Sequence, residues 1–315
     1  MLFHDKAAAG YEFALLMLLG ILLGIPYALT KITLETIPPI TMVAARVSLA
    51  AIALWILVFA LKCKLPKRKG LVPRLFIQGF LACVLPYMLL AFGQRSVDSA
   101  LSAILNSTTP LFVCLINLMW TRGETLTFGR LLGVSFGFGG CILIAGASAL
   151  SGLGQSTFGQ VMIILATLAS AASVIHGRRF ADIPPEITAA GALTFAALVL
   201  VPLCFVVEAP LQSTPSAVSV AALLVNAIIV TALGFIIYFR LIAMIGSIGT
   251  ASASYLKPMV GVLVGYAFMG ESLTWTGTVG LTAILLGVAA INQRGLSGIQ
   301  SRFVPKFVMR TSVTN

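Results

Sequence analysis

The chain alternates between long apolar segments and short polar connections. Each apolar segment has about 20 residues, the length that an α-helix needs to cross the hydrocarbon core of a membrane. Helix-breaking residues stand in the connections, as at Pro38-Pro39, Gly123 and Pro184-Pro185. The pattern predicts ten transmembrane helices, called spans 1 to 10 below, near residues 12–31, 39–61, 73–94, 99–120, 128–147, 157–178, 186–207, 216–240, 247–269 and 275–293.

The composition agrees with this pattern and excludes a soluble protein. Of the 315 residues, 59% are hydrophobic and 9% are charged, and the mean hydropathy is +1.06. A soluble domain carries about 25% charged residues. The five cysteines stand in or beside apolar segments, without a CxxC or metal-ligand spacing, so we expect no metal site. The sequence has no nucleotide-binding motif either, so no cofactor is expected. The predicted fold class is an all-α integral membrane protein.

The basic residues predict how the chain is oriented. Sixteen of the 20 Lys and Arg residues fall on one side, in the N-terminus, the connections after spans 2, 4, 6 and 8, and the C-terminus. Cytoplasmic loops of membrane proteins hold such an excess. We therefore expect a multi-pass protein of the cytoplasmic (inner) membrane with both termini in the cytoplasm, including residues 1–11 and the basic tail 294–315.

The net charge of +11 does not indicate a nucleic-acid binder. Such proteins present their basic residues as an exposed face or stripe, whereas here the charge is divided between long apolar runs. The expected partners are the lipid bilayer and a small-molecule substrate.

The sequence repeats itself with a shift of about 147 residues. The matching pairs are Ile37-Pro38-Pro39 with Ile183-Pro184-Pro185, Pro110 with Pro258, residues 123–127 with 270–274, and Gly133 and Gly140 with Gly280 and Gly287. Each copy holds five spans, the first over residues 12–147 and the second over 157–293. Because five is odd, the second copy enters the membrane from the opposite side. The sequence thus predicts ten transmembrane helices arranged as two inverted five-helix repeats, from which many secondary transporters build alternating access.

These features resemble a known family. Each half has a mid-membrane proline in its fourth span, a Gly-Glu turn and a glycine-bearing fifth span, and the first half adds Lys31, the proline pair and Arg46. Over roughly residues 12–293 the chain looks like the EamA group of the drug/metabolite transporter superfamily. The resemblance implies a central cavity lined mainly by spans 1, 3, 4, 6, 8 and 9, and export or exchange of small metabolites such as amino acids.

Spans 4 and 9 carry matching polar faces. The residues are Ser102, Asn106 and Thr109 in span 4 and Thr250, Ser254 and Lys257 in span 9, all at helical spacing. A polar face that occurs in both copies is expected to point inward. The alternative is that the hydroxyls bond back to their own helices or hold helices together.

Lys257 is the most informative of these side chains. It lies near the centre of its span, where a cation costs about 2.5–3.5 kcal/mol on insertion scales. Every Asp and Glu maps to a helix end or a loop. The sequence therefore predicts that a substrate brings an anionic group to Lys257. The alternative is that carbonyl groups freed at Pro258 hold the lysine, since Pro110 and Pro258 are expected to break their helices.

Other candidates are less specific. We expect Tyr27, Tyr87 and Ser173 to add polar groups to the cavity, and Glu124 and Glu271 to cap the fifth spans. Arg46 and Lys31 are expected to act as anchors or to pair with Glu35. The glycine ladder Gly129, Gly133 and Gly137 indicates a close helix contact, either within the chain or in a homodimer.

The sequence therefore predicts a secondary transporter, an exporter or exchanger of a small anionic or zwitterionic metabolite such as an amino acid. No enzyme motif is present in the setting that its chemistry requires: there is no HExxH or P-loop pattern, and no GxSxG or GxGxxG pattern is placed between a strand and a helix. The alternatives are a membrane-embedded enzyme or accessory subunit on the transporter fold, and, among transporters, a sugar-phosphate or nucleotide-sugar exchanger.

Overall fold

A computed structural model describes residues 2–66, 68–93, 96–97, 99–121, 127–145, 153, 156–208, 210, 214–260 and 275–292. This part of the chain consists of helices joined by turns and holds no β-strand. The expected all-α class is confirmed.

Every predicted span coincides with an apolar helix. Six helices are long and apolar enough to cross a membrane, namely Pro39–Ala60, Leu71–Leu90, Thr157–Phe180, Pro185–Val207, Ala217–Val260 and Trp275–Asn292. Three shorter apolar helices cover Gly10–Gly24, Ile104–Met119 and Phe128–Leu143. The 44-residue helix Ala217–Val260 contains span 8 and the described part of span 9, so the described apolar helices correspond to all ten predicted spans.

The helix bounds differ from the predicted ones mainly at spans 1, 8 and 9. Span 1 begins at Leu2, ten residues early, because alanines such as Ala7 and Ala8 favour helix beyond the apolar segment. Spans 8 and 9 meet without a loop, at the single non-helical residue Gly246 (φ 80°, ψ −176°). The described helices are Leu2–Gly24 and Pro26–Thr33 (span 1), Pro39–Ala60 (span 2), Leu71–Gly79 and Leu85–Gly93 (span 3), Ser99–Asn106 and Thr109–Ile116 (span 4), Phe128–Ala145 (span 5), Thr157–Gly177 (span 6), Pro185–Val207 (span 7), Ala217–Val225 and Leu233–Ala251 (spans 8 and 9), and Trp275–Asn292 (span 10).

Repeat-related irregularities interrupt the helices. Span 3 has a π-helical stretch at Phe80–Val84 and span 8 has one at Asn226–Ala232, about 147 residues later. Span 4 breaks after Asn106, directly ahead of Pro110, and span 9 tightens into a 3₁₀ turn at Ser252–Tyr255, directly ahead of Pro258. Irregular turns of this kind inside helices often occur at functional sites.

Spans 5 and 10 pack against each other through matching glycines. A Cβ atom placed on Gly133 would lie 2.7 Å from the carbonyl oxygen of Gly287, and one on Gly140 would lie 2.7 Å from that of Gly280. A shift of 147 residues exchanges these two contacts, so the interface is self-complementary, as a two-fold axis requires. From Gly133 to Gly140 in span 5, the contacted residue in span 10 moves back from Gly287 to Gly280, so the two helices are antiparallel. The two halves are inverted repeats.

Part of the predicted glycine ladder serves this packing. Gly133 and Gly137 contact other helices of the same chain, Gly137 against the ring of Tyr255. A Cβ atom on Gly129 would have no neighbour within 4 Å. The contacts of Gly133 and Gly137 are explained within one chain, so the homodimer stays a prediction.

Candidate functional site

Lys257 and Asn106 meet where spans 4 and 9 cross. The ammonium group of Lys257 donates a hydrogen bond to Oδ1 of Asn106 over 3.4 Å. Asn106 is buried and is the last residue of the first half of span 4, and Lys257 follows the 3₁₀ turn of span 9 by two residues. Both side chains therefore sit beside a break in their helix. The two polar faces predicted from the repeat are in contact.

The hydroxyl groups near this pair are less available than the sequence indicates. Thr109 donates its hydroxyl to the carbonyl oxygen of Asn106 over 2.9 Å, and Ser102 donates to that of Val97 over 3.4 Å. Ser254 is buried within the 3₁₀ turn. The hydrogen bonds of Thr109 and Ser102 agree with the alternative stated above, in which the hydroxyl groups bond to the backbone of their own segment. Lys257 and Asn106 instead bond to each other through their side chains.

No carboxylate of the described residues lies within 4 Å of the Lys257 ammonium group. Arg68 and Asp182 form an ion pair at 2.7 Å far from this site, and their side chains are 42% and 68% exposed. The alternative in which carbonyls freed at Pro258 hold the lysine is not what the described contacts show. The acceptor is the side-chain amide of Asn106.

Span 1 lies against span 9 beside this pair. Gly20 packs on Leu256, and a Cβ atom on Gly24 would lie 2.6 Å from that of Val260. These contacts flank Lys257 on either side along span 9. The ring of Tyr27, the side chain of Lys31, and the predicted caps Glu124 and Glu271 lie outside the described residues.

Tyr87 belongs to a second polar cluster, around Arg46. The guanidinium carbon of Arg46 lies 5.1 Å from the centre of the Tyr87 ring, and its Nε donates to the hydroxyl of Thr231 over 2.6 Å. The expected pairing of Arg46 with Glu35 is wrong, because Arg46 is 9% exposed inside the bundle while Glu35 is exposed to solvent.

Ser173 belongs to a third cluster, which joins spans 3, 6 and 8. Its hydroxyl donates to the carbonyl oxygen of Ser170 over 2.7 Å and lies 3.2 Å from the hydroxyl of Tyr238. The amide of Gln78 donates to the carbonyl oxygen of Ser173 over 3.2 Å, and its oxygen lies 2.9 Å from Nδ1 of His176. Sequence reasoning missed Gln78, although an amide inside an apolar span was the available signal.

A cavity of about 540 Å³ opens at the ends of spans 1, 5, 6, 8 and 10. Its lining includes Glu12, Arg130, Arg178, Asn292 and the segment 242–246 that ends at the Gly246 break. All of these residues lie on the side that the charge pattern predicts to be cytoplasmic. The sequence did not reveal this cavity because five distant spans contribute to it.

The inverted repeat, the broken helices and the polar groups inside an apolar bundle define a multi-pass membrane transporter. The profile of the EamA-like transporter family matches residues 11–146 and 157–293. The chain belongs to this family, and the resemblance found in the sequence is confirmed.

Similar proteins agree with this assignment. The chain is 25% identical to "Uncharacterized transporter YoaV" of Bacillus subtilis, over 84% of this chain and 91% of that protein. It is 25% identical to "Uncharacterized inner membrane transporter YedA" of Escherichia coli K12, over 89% and 90%. It is 24% identical to "Probable terminal-alkyne amino-acid exporter" of Streptantibioticus cattleyicolor, over 80% and 83%.

The fold also resembles a solved structure. A chain described as "Crystal structure of protein" superposes with a TM-score of 0.74 at 17% identity, and the match covers 90% of this chain and 98% of that one. This likeness concerns the fold alone. The protein is thus a multi-pass membrane protein of a transporter family.

Proposed function

We propose that this protein is a secondary transporter of the cytoplasmic membrane that exports or exchanges a small anionic or zwitterionic metabolite, such as an amino acid. The observation that carries the proposal is the contact between Lys257 and Asn106 at the crossing of spans 4 and 9. A cation there, with no described carboxylate within 4 Å, suits the negative group of a solute, and Asn106 suits its polar remainder.

Two further observations support the proposal. Broken helices at the centre of inverted repeats offer backbone groups to a substrate, and Asn106 and Lys257 each lie beside such a break. Under this proposal a solute enters from the cavity at the predicted cytoplasmic side, whose lining does not include Lys257 or Asn106. One relative at 24% identity is named as a probable amino-acid exporter, which favours amino acids among small zwitterions.

Exchange or facilitated flux fits the charges better than proton antiport through a carboxylate. The buried polar residues of the described part include Arg46 and Arg130 but no Asp or Glu. Proton relays in membranes normally use an acidic residue at depth. We therefore propose that the driving force is the gradient of the solute or of a counter-solute.

Counterflow into proteoliposomes tests the proposal. Liposomes with the purified protein are loaded with one unlabelled solute, and uptake of the same radiolabelled solute is followed for a panel of amino acids, carboxylates and organic phosphates. Accumulation of at least one solute supports transport, and its loss in Lys257→Ala but not in Lys64→Ala, an exposed loop lysine, assigns it to this site. Chemical conversion of a solute without accumulation would instead support the membrane-enzyme alternative.

The same panel separates the transporter subclasses. Counterflow restricted to phosphorylated sugars or nucleotide sugars would support the exchanger alternative. Counterflow of amino acids would support the relation to the amino-acid exporter.

A further inference from the structure

Arg46 is a buried cation in the interior of the bundle. It lies seven residues after the start of span 2 at Pro39, about 10 Å along the helix axis, and is 9% exposed. Its side chain reaches between span 3, which supplies Tyr87, and span 8, which supplies Thr231.

Only one of its five N–H groups has a protein partner in the described part of the chain. Nε donates to Thr231 over 2.6 Å, and the four N–H groups on the two Nη atoms have no acceptor there. Protein atoms do not completely enclose either Nη atom.

The neighbours hold the guanidinium group in a fixed orientation. The hydroxyl of Thr231 donates to the carbonyl oxygen of Asn226 over 2.7 Å, so its lone pair is turned toward Nε of Arg46. The Tyr87 ring supports the flat face of the guanidinium at 5.1 Å. Thr231 lies within the π-helical stretch of span 8, and Tyr87 follows that of span 3 by three residues. Two repeat-related irregular turns thus flank one cation.

A clamp that only joined spans 2, 3 and 8 would not need an unpaired cation. Charged groups in the membrane interior are costly and normally pair with one another or with carbonyls. Here Nε and the ring face are used for positioning, while the Nη edge remains open. That edge is the part of arginine that binds a carboxylate or phosphate with two parallel hydrogen bonds.

We propose that Arg46 is an anion-binding subsite that takes a carboxylate or phosphate group of the transported solute on its Nη atoms. The inference rests on the proposed function, which assigns one acidic group of the solute to Lys257. Two buried cations without a described counter-charge favour a solute with two acidic groups, such as an acidic amino acid, a dicarboxylate or an organic phosphate. A solute with a single carboxylate would leave one of the two cations uncompensated.

Binding measured on the purified full-length protein tests this inference. Succinate and inorganic phosphate serve as doubly charged probes and acetate as the singly charged one, at equal ionic strength, with affinity taken from the rise in melting temperature. The wild type is expected to bind at least one doubly charged probe about tenfold or more tightly than acetate. Arg46→Gln should lose this preference, and Arg46→Lys should keep part of it because a lysine retains the charge without the bidentate geometry.

Arg240→Gln is the matched control, because Arg240 also lies over a tyrosine ring, 5.6 Å from the centre of Tyr11, but is exposed to solvent. If Arg46→Gln does not fold, Arg46→Lys decides, with an expected loss of affinity for the doubly charged probe of about threefold.

Retention of the preference in both Arg46 variants overturns the inference. So does a wild type that binds all three probes equally and loses them in Lys257→Ala, although the proposed function then stands. A wild type that binds none of the three probes also overturns the inference, whereas the proposed function fails only if no solute of the panel shows counterflow.

Discussion

The carboxylate of Glu208 accepts two hydrogen bonds from Thr41, one from its backbone N–H at 2.8 Å and one from its hydroxyl at 2.9 Å. It accepts a third from the backbone N–H of Ile40 at 3.0 Å. The end of span 7 in the second half therefore caps the start of span 2 in the first. The first N–H groups of a helix have no partner within the helix, and a negative charge there also interacts favourably with the helix dipole.

Removing this carboxylate should destabilise the protein. Glu208→Ala leaves the N–H groups of Ile40 and Thr41 without this acceptor, and we expect a loss of about 1–2 kcal/mol in the free energy of unfolding. Thermal unfolding in detergent measures it. The control is Glu35→Ala, which removes an exposed carboxylate in the same region. Equal melting temperatures for the two variants would contradict the capping role.

The glycine packing of spans 5 and 10 gives a second prediction. A Cβ atom on Gly140 would lie 2.7 Å from the carbonyl oxygen of Gly280, whereas one on Gly139 would have no neighbour within 4 Å. Gly140→Ala should force the helices apart and cost about 1–3 kcal/mol. Gly139→Ala should leave stability unchanged or raise it by up to about 1 kcal/mol, because alanine favours helix.

The two alanine variants differ by one position in the same helix, so their melting temperatures compare the contact alone. A Gly140→Ala protein as stable as Gly139→Ala would show that the two helices are not in close contact.

The spans and the repeat could be predicted from the sequence, because short sequence patterns mark both of them. Runs of apolar residues mark each span, and pairs such as Pro110 and Pro258 mark the repeat. The meeting of Lys257 with Asn106 could also be predicted, since symmetry brings equivalent faces together.

Contacts between dissimilar positions could not be predicted. From the sequence, Glu208 is simply an acidic residue at the end of a helix. Only the packing of span 7 against span 2 brings it to Thr41. From the sequence, Arg46 is expected to be an anchor at the membrane interface. No sequence pattern indicates that Thr231 faces span 2. These pairs lie 167 and 185 residues apart and do not follow the repeat. Their contact depends on how the helices tilt, which hydropathy does not specify.

The orientation of the chain is a third prediction. Cys63 lies in the connection after span 2, which the charge pattern assigns to the cytoplasm, and Leu153 lies in the connection after span 5, which it assigns to the outside. A protein that retains Cys63 as its only cysteine should react with an impermeant maleimide only after the cells are permeabilised. Leu153→Cys in a cysteine-free background should react in intact cells, because this position is 51% exposed. The reverse labelling pattern would invert the topology.

The contact of Lys257 with Asn106 leads to a prediction about Asn106 as well. Asn106→Asp would place a carboxylate near the ammonium group, which lies 3.4 Å from the present amide oxygen. The new ion pair should compete with an anionic solute, so binding should weaken by about tenfold or more. Asn106→Gln retains an amide without adding charge and is the control. Unchanged solute affinity in Asn106→Asp would show that the solute does not bind at this lysine.

Lys257→Ala should abolish solute binding without lowering the stability of the protein. The lysine donates to Asn106 and has no carboxylate within 4 Å among the described residues, so its removal should relieve part of the cost of a cation in the membrane, about 2.5–3.5 kcal/mol on insertion scales. Lys257→Arg should keep partial activity, because the charge remains while its geometry changes. Melting temperature and solute affinity, measured together on purified Lys257→Ala, Lys257→Arg and the loop control Lys64→Ala, distinguish a binding lysine from a structural one. A Lys257→Ala protein that melts at a lower temperature yet binds the solute with unchanged affinity would assign the lysine to helix packing, and the substrate site would then have to lie elsewhere in the bundle.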